Sequence, residues 1–307
     1  MGELNPVTPG GGAIAGLFWV TLALSLVVFV LVAGLLVVSI ARFRSRPGEV
    51  GEPEQVHGNR TLELVWTVGP ALLLGALFVL AVVTMGRADA EEPGALRVRV
   101  VGWQWWWEYQ LEDGVVAANE LHLPVGVPTR LEMTSGDVVH AFWVIRFGWK
   151  RDVIPGKLNV LPVRVDQAGT YQGACAEYCG RQHAWMRPRV VAEPPETFEA
   201  WLARQRAPAD PPADDLARRG QEVFLTNTCV NCHAVRGTPA GSRVGPDLTH
   251  FGGRTTLGAG VAENTPEELR RWLRDPNELK PGTLMPSYSN LADEELDALV
   301  AYLRGLR

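Results

Sequence analysis

The stretch Cys175-Ala-Glu-Tyr-Cys179-Gly-Arg-Gln-His183-Ala-Trp-Met186 decides the fold and the chemistry of the middle of this 307-residue chain. It brings two thiols, an imidazole and a thioether into one short segment. Such ligands are typical of copper electron-transfer sites, because soft sulfur suits Cu(I) and imidazole suits both oxidation states of copper. Upstream, His140 supplies a second imidazole. Two cysteines four residues apart can bridge two metal ions, so the pattern indicates a dinuclear copper site.

A second motif, Cys229-Val-Asn-Cys232-His233, has the C-x-x-C-H spacing that attaches c-type haem. Its cysteines form thioethers to the haem vinyl groups, and its histidine becomes the proximal iron ligand. The chain has four cysteines, and the two motifs use all of them. A pair of structural disulfides is the alternative, but it would not explain why each cysteine pair comes with a suitably placed histidine.

The second axial ligand of this haem follows by elimination among the five methionines. Met285, in Lys280-Pro-Gly-Thr-Leu-Met-Pro286, is the one that remains, and His–Met ligation suits an electron carrier of high potential. His250 is the competing candidate. The other methionines are terminal, in an apolar run, in a predicted strand and in the copper motif (Met1, Met85, Met133 and Met186).

Two uncharged apolar runs precede both motifs, at residues 14–41 and 64–86. Each exceeds the roughly 20 residues that cross a bilayer, so we predict a hairpin of transmembrane helices at about 14–41 and 63–86. A buried core helix is the alternative, but neither run has the polar stripe of an amphipathic helix. A cleaved signal peptide is disfavoured, because the first run is too long and no basic residue precedes it.

The distribution of arginines predicts the orientation of this hairpin. Glu3 is the only charged side chain among residues 1–13, whereas the segment between the runs contains four arginines. Basic residues stay on the cytoplasmic side of a membrane. We therefore expect a multi-pass protein of a bacterial cell membrane, with both termini and the metal domains on the periplasmic face. The arginines concerned are Arg42, Arg44, Arg46 and Arg60.

Beyond the N-terminal part, residues 1–91, the pattern predicts two soluble domains and a linker. Short alternating runs punctuated by Gly and Pro indicate a β-sandwich over 92–200, with His140 near the end of a strand. A closing helix and a proline-rich spacer occupy 201–214, and helical apolar spacing predicts an all-α domain over 215–307. We expect the spacer to act as a tether that confines the last domain near the sandwich. The formal net charge of −5 and the lack of a clustered basic face argue against nucleic-acid binding.

The order His140, then C-x-E-x-C-G-x-x-H-x-x-M, resembles the CuA domain of cytochrome oxidase subunit II, in the form fused to a C-terminal cytochrome c domain. The resemblance implies a cupredoxin-like sandwich, a small cytochrome c domain and two coppers. In such a centre, imidazoles terminate the pair, thiolates bridge it, and a thioether and a backbone carbonyl complete it. The corresponding residues here are His140, His183, Cys175, Cys179, Met186 and, through its carbonyl, Glu177.

The same resemblance implies roles for four further positions. Trp105, in the aromatic stretch Gly102–Tyr109, would admit electrons, although a buried aromatic strand is the alternative. Glu63 would lie at a proton-uptake mouth, although an ordinary interfacial carboxylate is the alternative. The side chain of Glu177 would reach a Mg²⁺ shared with the catalytic subunit, and the carbonyl of Pro246 would orient His233.

The resemblance implies subunit II of a respiratory haem–copper oxidase. Electrons would enter at haem c, pass to the copper pair and continue to the haems of subunit I, where oxygen is reduced to water and protons are pumped. This chain would do no oxygen chemistry itself. Its partners would be subunits I and III, with a quinol–cytochrome c reductase or a small cytochrome c as donor. One departure is that basic residues flank the copper ligands, so a strongly basic donor would not be steered well here. They are Arg146, Lys150, Arg151 and Arg181.

Three alternatives remain open at this point. A CuA subunit can also serve a nitric oxide reductase of the same superfamily. A membrane-anchored copper chaperone would bind a single copper, and its histidine would not follow the second cysteine by four residues. A haem carrier with a purely structural β domain would bind no copper. Quinol oxidase subunits share the architecture but lack the copper ligands.

Overall fold

The computed structural model describes residues 5–307 apart from 46, 49, 50, 53, 54 and 56. The chain forms two compact units, Gly12–Ala90 and a second unit that joins Met1–Gly11 to Glu91–Arg307. Glu3 and Arg46, on which the predicted orientation partly rests, lie outside the described residues.

Two long helices make up the first unit, α1 (Pro9–Phe43) and α2 (Arg60–Ala88). Their most apolar windows bury 0% and 6% of their residues, whereas a core helix of a soluble protein would be mostly buried. The transmembrane hairpin is thus confirmed. Both helices are longer than their apolar runs. The reason is that capping hydrogen bonds, and not the end of the apolar run, determine where a helix begins or ends. At α2, for example, Asn59 Oδ1 accepts hydrogen bonds from the N–H groups of Thr61 and Leu62, both at 3.1 Å.

The predicted β-sandwich is also confirmed, with two five-stranded sheets in the orders β3-β2-β1-β5-β8 and β4-β10-β9-β6-β7. Burial alternates along β5 as the sequence pattern requires, and large side chains such as Trp107 and Phe142 fill the space between the sheets. The strands are β1 (Leu96–Trp103), β2 (Trp106–Gln110), β3 (Val116–Ala118), β4 (Glu120–Pro124), β5 (Thr129–Ser135), β6 (His140–Val144), β7 (Lys150–Val153), β8 (Asn159–Val163), β9 (Gly169–Cys175) and β10 (Arg189–Glu193).

The C-terminal domain is helical, as predicted, apart from one two-residue hairpin. Its first and last helices cross at Gly220, where a Cβ would lie 1.9 Å from the carbonyl oxygen of Ala298. Beside this crossing, Phe224 packs on Tyr302 with ring centroids 5.6 Å apart. The remaining elements are α3 (Pro195–Arg206), which closes the sandwich, then α4 (Asp215–Thr226), β11 (Thr256–Leu257), β12 (Ala262–Glu263), α5 (Pro266–Arg274), α6 (Pro276–Leu279) and α7 (Asp293–Gly305).

The C-terminal domain is docked on the sandwich through buried polar contacts. The carboxylate of Glu120, 4% exposed, accepts hydrogen bonds from the backbone N–H and the hydroxyl groups of Thr255 and Thr256. Lys280 Nζ donates to the Trp105 carbonyl at 2.9 Å. The last domain thus lies against the sandwich, and the role of the spacer as a tether stays a prediction. Beyond the spacer, the surfaces of the two domains supply direct hydrogen-bond partners to each other.

Candidate metal centre and haem cavity

The neighbouring interior strands β6 and β9 place the first ligands of the metal centre. Cys175 is the last residue of β9, and its neighbour across the ladder is Phe142 of β6, the strand that begins with His140. The chain then loops through Cys179 into a short 3-10 turn, His183–Trp185, that ends at Met186. The backbone N–H of Cys175 donates to the Met186 carbonyl at 3.0 Å, which closes this loop onto the strand.

The ligand atoms of all six predicted residues converge. The two thiol sulfurs of Cys175 and Cys179 are 3.8 Å apart. Cys175 Sγ lies 4.0 Å from His140 Nδ1 and 3.3 Å from the carbonyl oxygen of Glu177. Cys179 Sγ lies 3.7 Å from His183 Nδ1 and 4.0 Å from Met186 Sδ. Each sulfur therefore has its own imidazole.

These distances fit bridging thiolates. Both cysteines are free thiols. If each thiolate binds a metal at about 2.3 Å with a tetrahedral angle between them, the sulfurs lie about 3.8 Å apart, which matches the separation here. The donor atoms of His140, Cys175 and Cys179 all lie within 4.8 Å of one another, and all three residues are buried. The donor set thus fits a closed copper site of mixed sulfur and nitrogen ligands.

Asp137 orients the first imidazole, a role that the sequence analysis did not assign. Its Oδ1 lies 2.8 Å from His140 Nε2, which leaves Nδ1 facing Cys175. Burial would raise the pKa of the Asp137 carboxyl, but hydrogen bonds from His140 and from the backbone N–H groups of Gln104 and Val138 hold that pKa below its usual value. A carboxylate that fixes the ring of a metal-binding histidine is a common outer-shell partner.

The two thiols share one proton unequally. The hydrogen bond from Cys179 lowers the pKa of Cys175 to about 3, with further help from His140. The pKa of Cys179 is raised above its usual value, because the neighbouring Cys175 thiolate and burial both oppose a second negative charge. Two buried thiolates side by side are therefore stable only when cations neutralise them, which is the electrostatic setting of a bridged metal pair.

The indole of Trp105 contacts the ligand loop directly. Its Nε1 donates to the carbonyl oxygen of Cys179 at 2.9 Å, and Gln104 Nε2 donates to the same oxygen at 2.8 Å. Trp105 itself is half-buried, whereas Trp107 is a fully buried core residue. The alternative of a buried aromatic strand thus describes Trp107 and not Trp105. The side chain of Glu177 is exposed beside this loop, and Glu63 lies exposed in the first turn of α2.

The C-x-x-C-H motif lines a cavity of about 370 Å³ in the C-terminal domain. His233 Nδ1 lies 2.7 Å from the carbonyl oxygen of Pro246, so Nδ1–H donates there and Nε2 stays free for a metal. Burial lowers the pKa of His233, which favours the neutral, ligand form of the ring. Cys229 and Cys232 line the same cavity, whose wall is mainly apolar. These features fit a haem attached by thioethers.

The structure distinguishes the two candidates for the second axial ligand. Met285 lines the cavity together with His233. His250 is not among the cavity-lining residues; it is buried with its Nε2 3.1 Å from the carbonyl oxygen of Ala207. Of the two candidates, Met285 is therefore the one that lies in the cavity wall with His233.

The cavity is closed in part by the sandwich, a feature that the sequence did not indicate. Gln104, Trp105, Trp106 and Gln182 of the sandwich all line it. Gln182 precedes His183, and its Nε2 donates to the carbonyl oxygens of Lys280 and Pro281 at 3.1 and 3.2 Å. The segment just before Met285 is therefore in direct contact with the loop that runs from Cys175 to Met186.

A membrane-anchored chain with a two-thiolate metal centre beside a C-x-x-C-H cavity belongs to the class of respiratory electron-transfer proteins. Comparison with known proteins specifies the class further. Residues 115–193 match the profile of the periplasmic domain of cytochrome c oxidase subunit II, and residues 7–85 match that of its transmembrane domain. Residues 217–307 match the cytochrome c profile. The chain belongs to the cytochrome c oxidase subunit II family, with a fused cytochrome c domain, and these matches imply copper in the sandwich and haem c in the last domain.

Three relatives with this family name are similar in sequence to most of the chain. Cytochrome c oxidase subunit 2 of Alkalihalophilus pseudofirmus is 39% identical over 295 residues, which cover 92% of this chain and 85% of the relative. The protein of the same name from Bacillus subtilis is 36% identical over 87% of this chain and 81% of the relative. That from Bacillus sp. strain PS3 is 36% identical over 86% of this chain and 80% of the relative.

Proposed function

We propose that this chain is the electron-entry subunit of a respiratory haem–copper oxidase. It accepts electrons at haem c, passes them to a dinuclear CuA centre and delivers them to the haems of subunit I, for reduction of oxygen to water coupled to proton pumping. One observation carries the proposal: the haem cavity shares Trp105 with the copper-type centre. Trp105 lines the cavity, and its indole donates to the carbonyl oxygen of Cys179.

The residues around each centre are suited to holding it rigid. When bound, the copper centre and the haem would each carry one electron, so the charge of each would change by a single unit. The Asp137 carboxylate fixes the His140 ring, and the Pro246 carbonyl fixes the His233 ring. His140, Cys179 and Met186 are 0–3% exposed, so little water can reorganise when charge changes. Two coppers bound here would be held by the thiolates of Cys175 and Cys179 and the imidazoles of His140 and His183, with Met186 and the Glu177 carbonyl as further ligands.

The membrane orientation is part of the same proposal. The residues that precede the first span pack on the sandwich: the N–H of Val7 donates to the Arg146 carbonyl at 2.9 Å, and Thr8 Oγ1 donates to the Phe147 carbonyl at 2.8 Å. Together with Arg42 in the last turn of α1 and Arg44 just after it, this supports a periplasmic location for the N-terminus and the metal domains in a bacterial cell membrane.

Several finer assignments belong to this proposal. The exposed side chain of Glu177 is available for a Mg²⁺ shared with subunit I, and Glu63 at the start of α2 is available at a proton-uptake mouth. Subunit III joins the complex. The upstream donor, a quinol–cytochrome c reductase or a small cytochrome c, delivers electrons to the haem domain.

Metal analysis of the full chain in detergent tests the copper centre. We expect two coppers per chain and an electron paramagnetic resonance spectrum of a mixed-valence pair. Cys179→Ser should abolish the pair, whereas Met186→Leu should keep two coppers and shift the potential, because an axial thioether tunes the site more than it holds the metal. One copper per chain with a single-copper hyperfine pattern would refute the dinuclear centre and would favour a copper chaperone.

A second experiment tests the haem ligation. Met285→Ala should remove the near-infrared band of sulfur-ligated ferric haem and lower the potential, whereas His250→Ala should leave both unchanged. The reverse result would show that His250 is the ligand. Purification with the partner subunits, followed by turnover with oxygen and with nitric oxide, distinguishes an oxidase from a nitric oxide reductase.

A further inference from the structure

The wall of the haem cavity contains a buried cation that has no acidic partner. The chain has three lysines, and Lys280 is the buried one, with 4% of its surface exposed. Its Nζ donates to the carbonyl oxygen of Trp105 at 2.9 Å. Within the described residues it forms no ion pair with an aspartate or glutamate; the Trp105 carbonyl is its hydrogen-bond partner, and the Cys179 thiol, when ionised, favours its charged form. Burying an ammonium group in this way is unfavourable, and burial lowers the pKa of Lys280 to about 7.

The rest of the cavity wall does not supply the missing negative charge. None of the described residues that line the cavity is an aspartate or a glutamate. Arg254 is the other cation in the wall, and it is compensated: its guanidinium donates to the carbonyl oxygen of Asp247, and the carboxylates of Asp247 and Glu120 lie close enough to act on it. Lys280 is thus a buried cation without a carboxylate partner in a cavity shaped for a cofactor.

Docking of the domains does not explain this ammonium group either. The backbone of the same segment is already held to the sandwich by Gln182, whose amide donates to the carbonyl oxygens of Lys280 and Pro281. Gln182 is 1% exposed, so this contact is fully buried without any charge. A neutral side chain at position 280 would satisfy the Trp105 carbonyl at a lower desolvation cost.

We propose that Lys280 binds a carboxylate of the haem at the boundary between the haem domain and the copper domain. The proposal rests on the proposed function, because it requires haem in this cavity. A c-type haem carries two carboxylates on the edge away from its vinyl groups, which Cys229 and Cys232 hold. An ammonium group has three donors, and Trp105 uses one of them. The same side chain then joins the acidic edge of the haem to the backbone of the residue whose indole contacts Cys179.

The reduction potential of the haem tests this assignment. A cation near the haem disfavours the more positive ferric form, so its removal should favour oxidation. In the full chain with haem attached, Lys280→Met and Lys280→Gln should lower the ratio of reduced to oxidised haem at a fixed ambient potential by about tenfold, which corresponds to about 59 mV for one electron. Lys280→Arg should keep the wild-type ratio. Lys157→Met, which removes an exposed lysine of the sandwich, is the matched control and should change nothing.

The outcomes separate a carboxylate-binding role from a structural one. If Lys280→Gln keeps the wild-type potential, the ammonium serves only as a hydrogen-bond donor to Trp105, and the proposal is wrong. An unchanged potential in Lys280→Met, with haem still attached, overturns it as well. If Lys280→Met does not retain haem, the reduction potentials of Lys280→Gln and Lys280→Arg test the proposal instead. Failure of the proposed function would look different, since the wild-type chain would then lack covalent haem or the copper pair.

Discussion

Replacement of Glu120 by glutamine should loosen the haem domain from the copper domain. The Glu120 carboxylate accepts from the Thr255 N–H at 3.0 Å, the Thr255 hydroxyl at 2.6 Å, and the N–H and hydroxyl of Thr256 at 2.8 Å each. Glutamine can keep Oε1, which all four donors share, but it loses the negative charge and turns an amide group towards the Thr255 N–H, which also reaches Oε2. Hydrogen bonds to a charged group contribute about 1.5–3 kcal/mol, so we expect a loss of about 2 kcal/mol, or about 30-fold in the docking equilibrium.

Hydrogen–deuterium exchange of the full chain in detergent measures this loss. The amide protons of Thr255 and Thr256 are protected while they donate to Glu120, so their protection should fall about 30-fold in the Glu120→Gln variant. Glu263→Gln is the matched control, because Glu263 lies exposed on β12 next to the same segment. Unchanged protection of residues 255 and 256 in Glu120→Gln would refute the view that this carboxylate holds the two domains together.

Three further predictions follow from the geometry. Asp137→Asn should weaken copper binding about 10–100-fold in a chelator competition, since the His140 ring loses its carboxylate partner; an unchanged affinity would exclude that role. Gly220→Val should destabilise the haem domain by about 1–3 kcal/mol in calorimetry, because its side chain meets Ala298. Gly305→Ala, a helical glycine with nothing within 4 Å, is the control and should not destabilise the domain. Haem-to-copper transfer after flash reduction should depend little on salt, because the docking contacts are buried; a collapse of the rate between low and physiological ionic strength would show that the domains must first meet.

Most of the candidate ligands of both sites can be predicted from the sequence because they lie in two short motifs. Cys175, Cys179, His183 and Met186 share one loop, and Cys229, Cys232 and His233 share another, so spacing alone carries the information. The two membrane helices are predictable for a similar reason, because a long apolar run can be recognised without knowledge of its tertiary contacts. Their ends are not, because the cap at Asn59 lies outside the apolar run.

The docking of the domains could not be predicted from the sequence. Glu120 and Thr255 are 135 residues apart, and Lys280 and Trp105 are 175 apart, so no local pattern links them. The proline-rich spacer at 207–214 predicts that the last domain stays near the sandwich, but it does not indicate which surfaces meet. Asp137 lies three residues before His140 in the sequence, but only the fold shows that its carboxylate faces the ring.

The contacts that Trp105 makes with both domains also block access to this part of the sandwich surface. Its carbonyl oxygen is occupied by Lys280, and its indole lies against the carbonyl of Cys179. A second, freely diffusing cytochrome could not reach this surface unless it first displaced the resident haem domain together with the Glu120 contacts. The fused domain therefore covers the Trp105 side of the loop that carries Cys179. Val244 and Leu284, 73% and 77% exposed at the mouth of the cavity, lie on the part of this domain that remains open to solvent.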